Sequence, residues 1–313
     1  MNVLVTGGCG FIGSNIAENL LEDPRVKSVR ILDNLITGRR DNIQFLLDKY
    51  ENLDFMYGDI QSLKDCIKAT NNMNLICHQA ALGSVPRSMK NPLASHNNNV
   101  NGFLNILLAA KENNIKRIVY ASSSSVYGDE EQLPKVEHKV GEVLSPYAAT
   151  KAIKEIYGKV FTRCYGLECI GLRYFNVFGP RQNPNGAYAA VIPRFIDLIK
   201  SGKRPTINGD GNFSRDFTYI DNVVSANKLA LFTDNSECFG QIINIAEGGR
   251  VTILEMFNMI KELLSSSIEP IFGEHRAGDI PHSNADISKA KSLIGYKPLV
   301  YFKEGIRRTL EYY

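Results

Sequence analysis

The chain has 313 residues, 44% of them hydrophobic and 22% charged, with a formal net charge of +3. That length allows one large domain or two smaller ones with a sizeable core, and the near-balanced charge leaves no basic stripe of the kind that nucleic-acid surfaces carry. No segment reaches the roughly 18 apolar residues of a membrane span. The chain opens on MNVLVTGG without a charged, apolar leader, so a cytoplasmic protein with no membrane and no nucleic-acid partner is expected.

Short apolar runs alternate with helical patterns through the first half. Strands are expected at NVLVT (2 to 6), SVRILD (28 to 33), LDFMYGD (53 to 59), LICHQAA (75 to 81), RIVYASS (117 to 123) and ECIGLRYF (168 to 175). Between the first two, Ile12, Ile16, Leu20 and Leu21 recur at helical period. Repeated strand, helix, strand units predict an α/β fold: a Rossmann-type doubly wound parallel sheet. After Asn176 glycine, proline and asparagine become denser (FGPRQNPNGAY, INGDGNFSRD), predicting a smaller C-terminal α/β substrate-binding region. The expected division is 1–175 for a nucleotide-binding domain and 176–313 for the second region, with a soft boundary across which strands or helices return to the first.

Directly after the first strand, TGGCGFIGS carries Gly7, Gly10 and Gly13 at three-residue spacing and opens a helix. Glycines there permit a tight turn and close approach of backbone to a pyrophosphate, whose charge meets the helix N-terminus. Asp33 follows at the end of the second strand, where a carboxylate accepts from ribose hydroxyls and disfavours a 2′-phosphate. NAD is favoured over NADP on that ground, with Arg39 and Arg40 keeping NADP open. Asp59, ending the third strand, is a candidate for the adenine end.

SPYAATK (145 to 151) sets Tyr147 four residues before Lys151, one helical turn apart on a shared face. A phenol beside an ammonium is a candidate proton-transfer unit, or simply an exposed pair packing on its own helix. The six cysteines (Cys9, Cys66, Cys77, Cys164, Cys169, Cys238) form no Cys-x-x-Cys pair and no histidine stands at ligand spacing, so no metal and no disulfide framework is expected.

The glycine spacing, Asp33 and the Tyr147/Lys151 pair together resemble the extended short-chain dehydrogenases/reductases. SSSSVYG (122 to 128), SPYAATK, LRYFNVFGPRQ (172 to 182), GDGNFSRDFTYIDNV (209 to 223) and RAGDIPHSNAD (276 to 286) are similar to motifs of the UDP-sugar 4-epimerase branch. The resemblance runs from end to end. It implies Tyr147 as base, Lys151 on the nicotinamide ribose, and Ser123 with Ser124 beside the reacting hydroxyl. It also implies tightly held NAD, recycled in each turnover, as sugar C4 is oxidised to a ketone and reduced on its other face.

Cofactor contacts carried over by the resemblance are Gly7, Gly10, Phe11, Ile12, Gly13, Asp33, Asn34, Gly38, Asp59, Ile60, Ala80, Ala81, Asn99, Ser122, Tyr147, Lys151, Tyr174 and Val177. The corresponding substrate contacts are Gly83, Ser84, Arg87, Ser123, Ser124, Tyr147, Asn176, Gln182, Ala189, Ala190, Val191, Asn208, Arg215, Arg276, Asp279 and Ser283. In this family a bulky aromatic at the position of Ser283 excludes N-acetyl groups, and this chain has serine there. The resemblance therefore implies UDP-N-acetylglucosamine and UDP-N-acetylgalactosamine as the pair, in surface-polysaccharide synthesis by analogy.

UDP-glucuronate, UDP-N-acetylglucosaminuronate and UDP-glucose/UDP-galactose stay open as substrates, as does a non-catalytic nucleotide-sensing protein. A 4,6-dehydratase, which eliminates water to a 4-keto-6-deoxy sugar, is disfavoured, because Ser123, Ser124 and Ser125 offer no acid. Helix faces carrying Ile153, Ile156, Tyr157, Val160 and Phe161, and the segment 102 to 114, are expected to pair in a homodimer through four helices.

Overall fold

A computed structural model describes residues 1–185, 190–274 and 280–313. Strands and helices alternate from the start: β1 (Asn2–Thr6), α1 (Phe11–Leu21), β2 (Ser28–Asp33), α2 (Asp41–Lys49), β3 (Leu53–Tyr57), α3 (Leu63–Thr70) and β4 (Leu75–His78). Next come α4 (Val85–Lys90), α5 (Pro92–His96), a π turn (Asn97–Asn101), α6 (Gly102–Glu112), β5 (Arg117–Ser123), α7 (Pro146–Tyr165) and β6 (Glu168–Tyr174). The remainder comprises β7 (Val177–Phe178), α8 (Val191–Lys200), β8 (Thr206–Asn208), β9 (Ser214–Arg215), β10 (Thr218–Tyr219), α9 (Ile220–Phe232) and β11 (Ile242–Ile245). The chain ends with β12 (Val251–Thr252), α10 (Ile253–Leu263), β13 (Ile271–Gly273), β14 (His282–Ser283), α11 (Ser288–Ile294) and α12 (Phe302–Tyr312).

Seven strands form one parallel sheet in the order β11-β6-β5-β4-β1-β2-β3. Helices cover both faces, so the strands read as near-continuous apolar runs. In β1 the alternation is direct: Val3 and Val5 join the cluster of Ile16, Leu20 and Val223, while Leu4 joins that of Phe103, Ile106 and Tyr120. Two expected strands stop short of their apolar runs, at Tyr57 and His78. Beyond those points Gly58, Ile60, Gln79, Ala80 and Ala81 leave the ladder to line a cleft at the carboxyl edge. β1 sits where the strand order reverses, which is the place where open α/β sheets bind ligands.

The second half is not a single block. β11 returns to pair with β6, and α9 packs against α1 on the sheet. Arg117, at the start of β5, donates through Nη1 to the carbonyls of Leu231 (2.8 Å) and Thr233 (2.7 Å), so a cation meets the C-terminal end of α9. What remains outside the sheet includes β9, flanked by β12 and β14, and the pair β8-β13.

On α7, Phe161 is buried and Ile153 and Tyr157 partly so, whereas Ile156 is 61% and Val160 43% exposed, with Leu108 of α6 at 40%. Among the described residues no helix is long and apolar enough to cross a membrane, and no three His, Cys, Asp or Glu side chains converge as a metal site. All six cysteines are free; five are buried and Cys164 is exposed.

Candidate active site

Gly7 takes φ +70°, and a Cβ there would stand 2.7 Å from the Ala80 amide nitrogen. At Gly13 a Cβ would lie 2.2 Å from the Gly7 carbonyl oxygen. Only glycine lets the β1–α1 turn pass this close to the loop after β4. The cleft left above it encloses about 300 Å³ and is lined by Gly7, Gly10, Phe11, Ile12, Gly13, Asp33, Asn34, Gly38, Ile60, Ala80 and Ala81.

Asp33 is buried, and its oxygens accept from Cys9 N (2.9 Å) and Leu35 N (2.8 Å). Burial raises its carboxyl above the usual range, and those two amides pull it back. A Cβ at Gly38 would sit 3.0 Å from both carboxylate oxygens, so glycine leaves Asp33 open to a ribose. Asn34 donates to Asp59 at 3.0 Å, holding the far end of the cleft. A glycine cradle at a helix start plus an acceptor on the second strand fits a dinucleotide.

The cleft continues into a second cavity of about 700 Å³, sharing Phe11, Ile12, Gln79, Ala81 and Gly83 with the first. Its walls bring together Ser122, Ser123, Ser124, Tyr147, Lys151, Tyr174, Asn176, Val177, Gln182, Arg215 and Ser283. Tyr147 reaches it because α7 starts cleanly: Ser145 accepts from Ala148 N at 3.1 Å, Pro146 occupies the first turn, and Ser88 of α4 accepts from Tyr147 N at 3.0 Å. Burial raises the Tyr147 phenol, and a hydrogen bond with Ser123 opposes it. Lys151 Nζ lies 5.7 Å from the Tyr147 ring centre and donates to Ala121 O at 2.9 Å. Burial brings Lys151 down to about 8, against the pull of Glu155, so most of it is charged at neutral pH.

Several expected contacts have other duties. Asn99, in the π turn, accepts from Leu82 N (2.7 Å) and donates to Leu82 O (3.1 Å) and Thr150 Oγ1 (3.1 Å), bracing the cavity loop without lining the cleft. Ser84 caps α4 by accepting from Arg87 N, at φ 97°, and neither side chain is in the cavity wall. Asp59 accepts from Gln61 N and Asn34, outside the cleft lining. Ala190, Val191 and Asn208 lie at the start of α8 and the end of β8, also off the wall. Ala189, Arg276 and Asp279 fall outside the described residues.

Gln79 and Ile280, which were not among the expected contacts, also line the second cavity. Gln79 was findable from its place one residue past β4, the edge where ligands bind. There it accepts from the Tyr174 hydroxyl at 3.2 Å and donates to Asn227 at 3.2 Å.

One turn behind Lys151, Lys154 is 0% exposed, its Nζ facing the rings of Phe103 (4.8 Å) and Tyr120 (6.0 Å) with no hydrogen-bond partner among the described residues. Burial, then repulsion from Lys151, holds it well below the ordinary lysine value. A base depressed in the folded state binds fewer protons there than when unfolded, so its cost is full at low pH and fades as pH rises to the ordinary value. Lys154→Met is therefore expected to gain roughly 1–3 kcal/mol near pH 7, with the gain shrinking toward pH 10 in urea titrations. An equal or absent gain at both pH values counts against this account of Lys154.

Fold and site define a dinucleotide-binding enzyme of the extended short-chain dehydrogenase/reductase type. The chain belongs to the NAD dependent epimerase/dehydratase family, which matches residues 3–246. A putative UDP-glucose 4-epimerase of Methanocaldococcus jannaschii is 40% identical over 99% of this chain and 97% of its own. A solved UDP-N-acetylglucosamine 4-epimerase from Methanobrevibacter ruminantium, in complex with UDP-N-acetylmuramic acid, is 43% identical with a TM-score of 0.93, covering 99% of this chain and 97% of that one. The UDP-glucuronic acid 4-epimerase of Bacillus cereus, solved with UDP-glucuronic acid and NAD, is 32% identical with a TM-score of 0.92, covering 100% and 98%.

Proposed function

We propose that this protein interconverts the C4 epimers of a UDP-sugar, and that UDP-N-acetylglucosamine and UDP-N-acetylgalactosamine are its pair. The observation that carries the reaction is that Tyr147, Ser123 and Lys151 together line the sugar-sized cavity that continues from the dinucleotide cleft. Gly7, Gly10, Gly13 and Asp33 hold the cofactor by the cradle and acceptor described above. NAD bound there would supply a hydride acceptor for sugar C4 and a donor to the resulting ketone, and in its oxidised form would add a positive charge to the site.

Tyr147 takes the C4 hydroxyl proton and gives it back. Forming phenolate at neutral pH needs a shift of about three units, roughly 4 kcal/mol. A unit charge about 4–6 Å from the phenolate oxygen would supply roughly 3–4 kcal/mol at an effective dielectric near 20, before desolvation is subtracted. Lys151 alone thus falls short, which ties a strong base to the cofactor-bound state. Ser123 polarises the sugar oxygen as charge moves.

The N-acetyl assignment rests on Ser283, a small side chain in the cavity wall where register pairs it with Arg215. The Methanobrevibacter neighbour, itself in complex with an N-acetylated UDP-sugar, supports the same reading. Ser283→Tyr is expected to lower kcat/KM for UDP-N-acetylglucosamine by roughly 10²-fold while UDP-glucose loses less than threefold, in line with one filled subsite. Equal losses on both sugars would remove Ser283 as the gate.

The exposed Ile156, Val160 and Leu108 are proposed to pair two copies across α6 and α7. Val160→Glu should convert a dimer into a monomer in sedimentation; a wild-type monomer rejects the pairing.

A further inference from the structure

Asp216 follows Arg215 beyond β9 and is 1% exposed. Its carboxylate is met by backbone amides: Oδ1 accepts from Glu247 N at 3.1 Å, and Oδ2 from Gly248 N at 3.1 Å and Ala285 N at 3.2 Å. Its own carbonyl accepts from Asn176 Nδ2 at 3.0 Å. One residue therefore ties the turn after β11, the segment just past Ser283, and Asn176 to the strand that carries Arg215. On its other side the segment past Ser283 is held by Lys135, whose amide donates to Asn284 O (2.8 Å) and whose carbonyl accepts from Asp286 N (3.0 Å).

An ionised carboxylate accepts on both oxygens, whereas a protonated or amidated one turns a donor toward these N–H groups. We infer that Asp216 is a positioning residue for the sugar nucleotide: its carboxylate fixes the cavity wall formed by Asn176, Arg215 and Ser283. Affinity for the UDP-sugar depends on it, while proton transfer at Tyr147 does not. The inference rests on the epimerase reading above.

Three other titratable groups stand near. Glu247 adds a like charge, Tyr296 donates to Ala246 O behind it, and His282 shares a hydrogen bond with Ser214 on the paired strand. Burial lifts Asp216 to about 7, with Glu247 contributing upward and the three amides downward. Protonation as pH falls through that range loosens the ties, so KM rises at low pH.

The test uses purified holoprotein and UDP-N-acetylglucosamine between about pH 6 and 8.5, measuring KM, kcat and retained NAD. Asp216→Asn is expected to raise KM roughly tenfold at pH 8, the loss of a charged hydrogen-bond acceptor, with kcat within threefold and NAD content unchanged. The wild-type rise of KM at low pH should vanish in this variant, which leaves His282 in place. Glu247→Gln should keep the wild-type KM at pH 8 and move the midpoint to lower pH, and it decides the matter if Asp216→Asn fails to fold. A wild-type KM and pH profile in Asp216→Asn, a joint loss of kcat, KM and NAD, or an unmoved midpoint in Glu247→Gln each overturns the inference. If the wild type turns over no UDP-sugar, the epimerase reading fails by itself, and calorimetric binding of the same ligand to these variants still decides the role of Asp216.

Discussion

Tyr147→Phe should lower kcat by roughly 10²–10⁴-fold, the usual contribution of a positioned acid–base group, while retained NAD and UDP-sugar affinity stay within about threefold. Phenylalanine keeps the ring that packs at the start of α7 and removes only the oxygen that Ser123 contacts. The brace from Ser88 runs to the Tyr147 backbone and is indifferent to the change. Single-turnover assays that find kcat intact in this variant would put the base elsewhere. Loss of NAD together with activity would instead make Tyr147 a cofactor ligand first.

The largest effect on stability is expected at the ion pair under the site. Arg173 of β6 binds Glu155 of α7 bidentately, Nε to Oε1 at 2.8 Å and Nη2 to Oε2 at 2.7 Å, with both side chains nearly inaccessible. Ser122 donates to the same Oε1 at 2.5 Å, and the guanidinium lies 4.7 Å over the Tyr127 ring. Removing one partner leaves the other charge buried and uncompensated, so Arg173→Met should cost about 3–5 kcal/mol. That corresponds to a Tm fall on the order of 5–8 °C. Replacing both partners, Arg173→Met with Glu155→Leu, should recover much of the loss, because the remaining cost is packing. A double variant no more stable than the single one would show that the pair is worth more than an apolar substitute.

The sheet was readable because its strands are buried on both faces and its helices on one, so period alone separates them. Three of the expected strands, at residues 2–6, 28–33 and 117–123, match the observed ends. The runs ending at Asp59 and Ala81 read too long, because residue type alone does not show where the chain leaves the ladder, as it does at Gly58 and at Gln79 to line the cleft. Gly7, Gly13 and Asp33 lie where β1 and β2 deliver the chain to the sheet edge, Tyr147 and Lys151 lie in the first turns of α7, and all five line one cavity system. What spacing does not carry is long-range bracing: Asn99 against Leu82, Asp216 across three segments, and Lys154 among aromatic rings all depend on which loop meets which. The soft boundary allowed for returning strands or helices without naming β11 or α9, for a related reason. Nothing in the texture of 176–313 marks two of its elements as belonging to the first sheet.

C4 epimerisation is measured by incubating the purified protein with UDP-N-acetylglucosamine and, separately, UDP-glucose, with no cofactor added, and following the C4 epimers by proton NMR. Formation of UDP-N-acetylgalactosamine, faster than UDP-galactose forms from UDP-glucose, is the predicted result. Absence of either epimer in protein shown to retain NAD would contradict it.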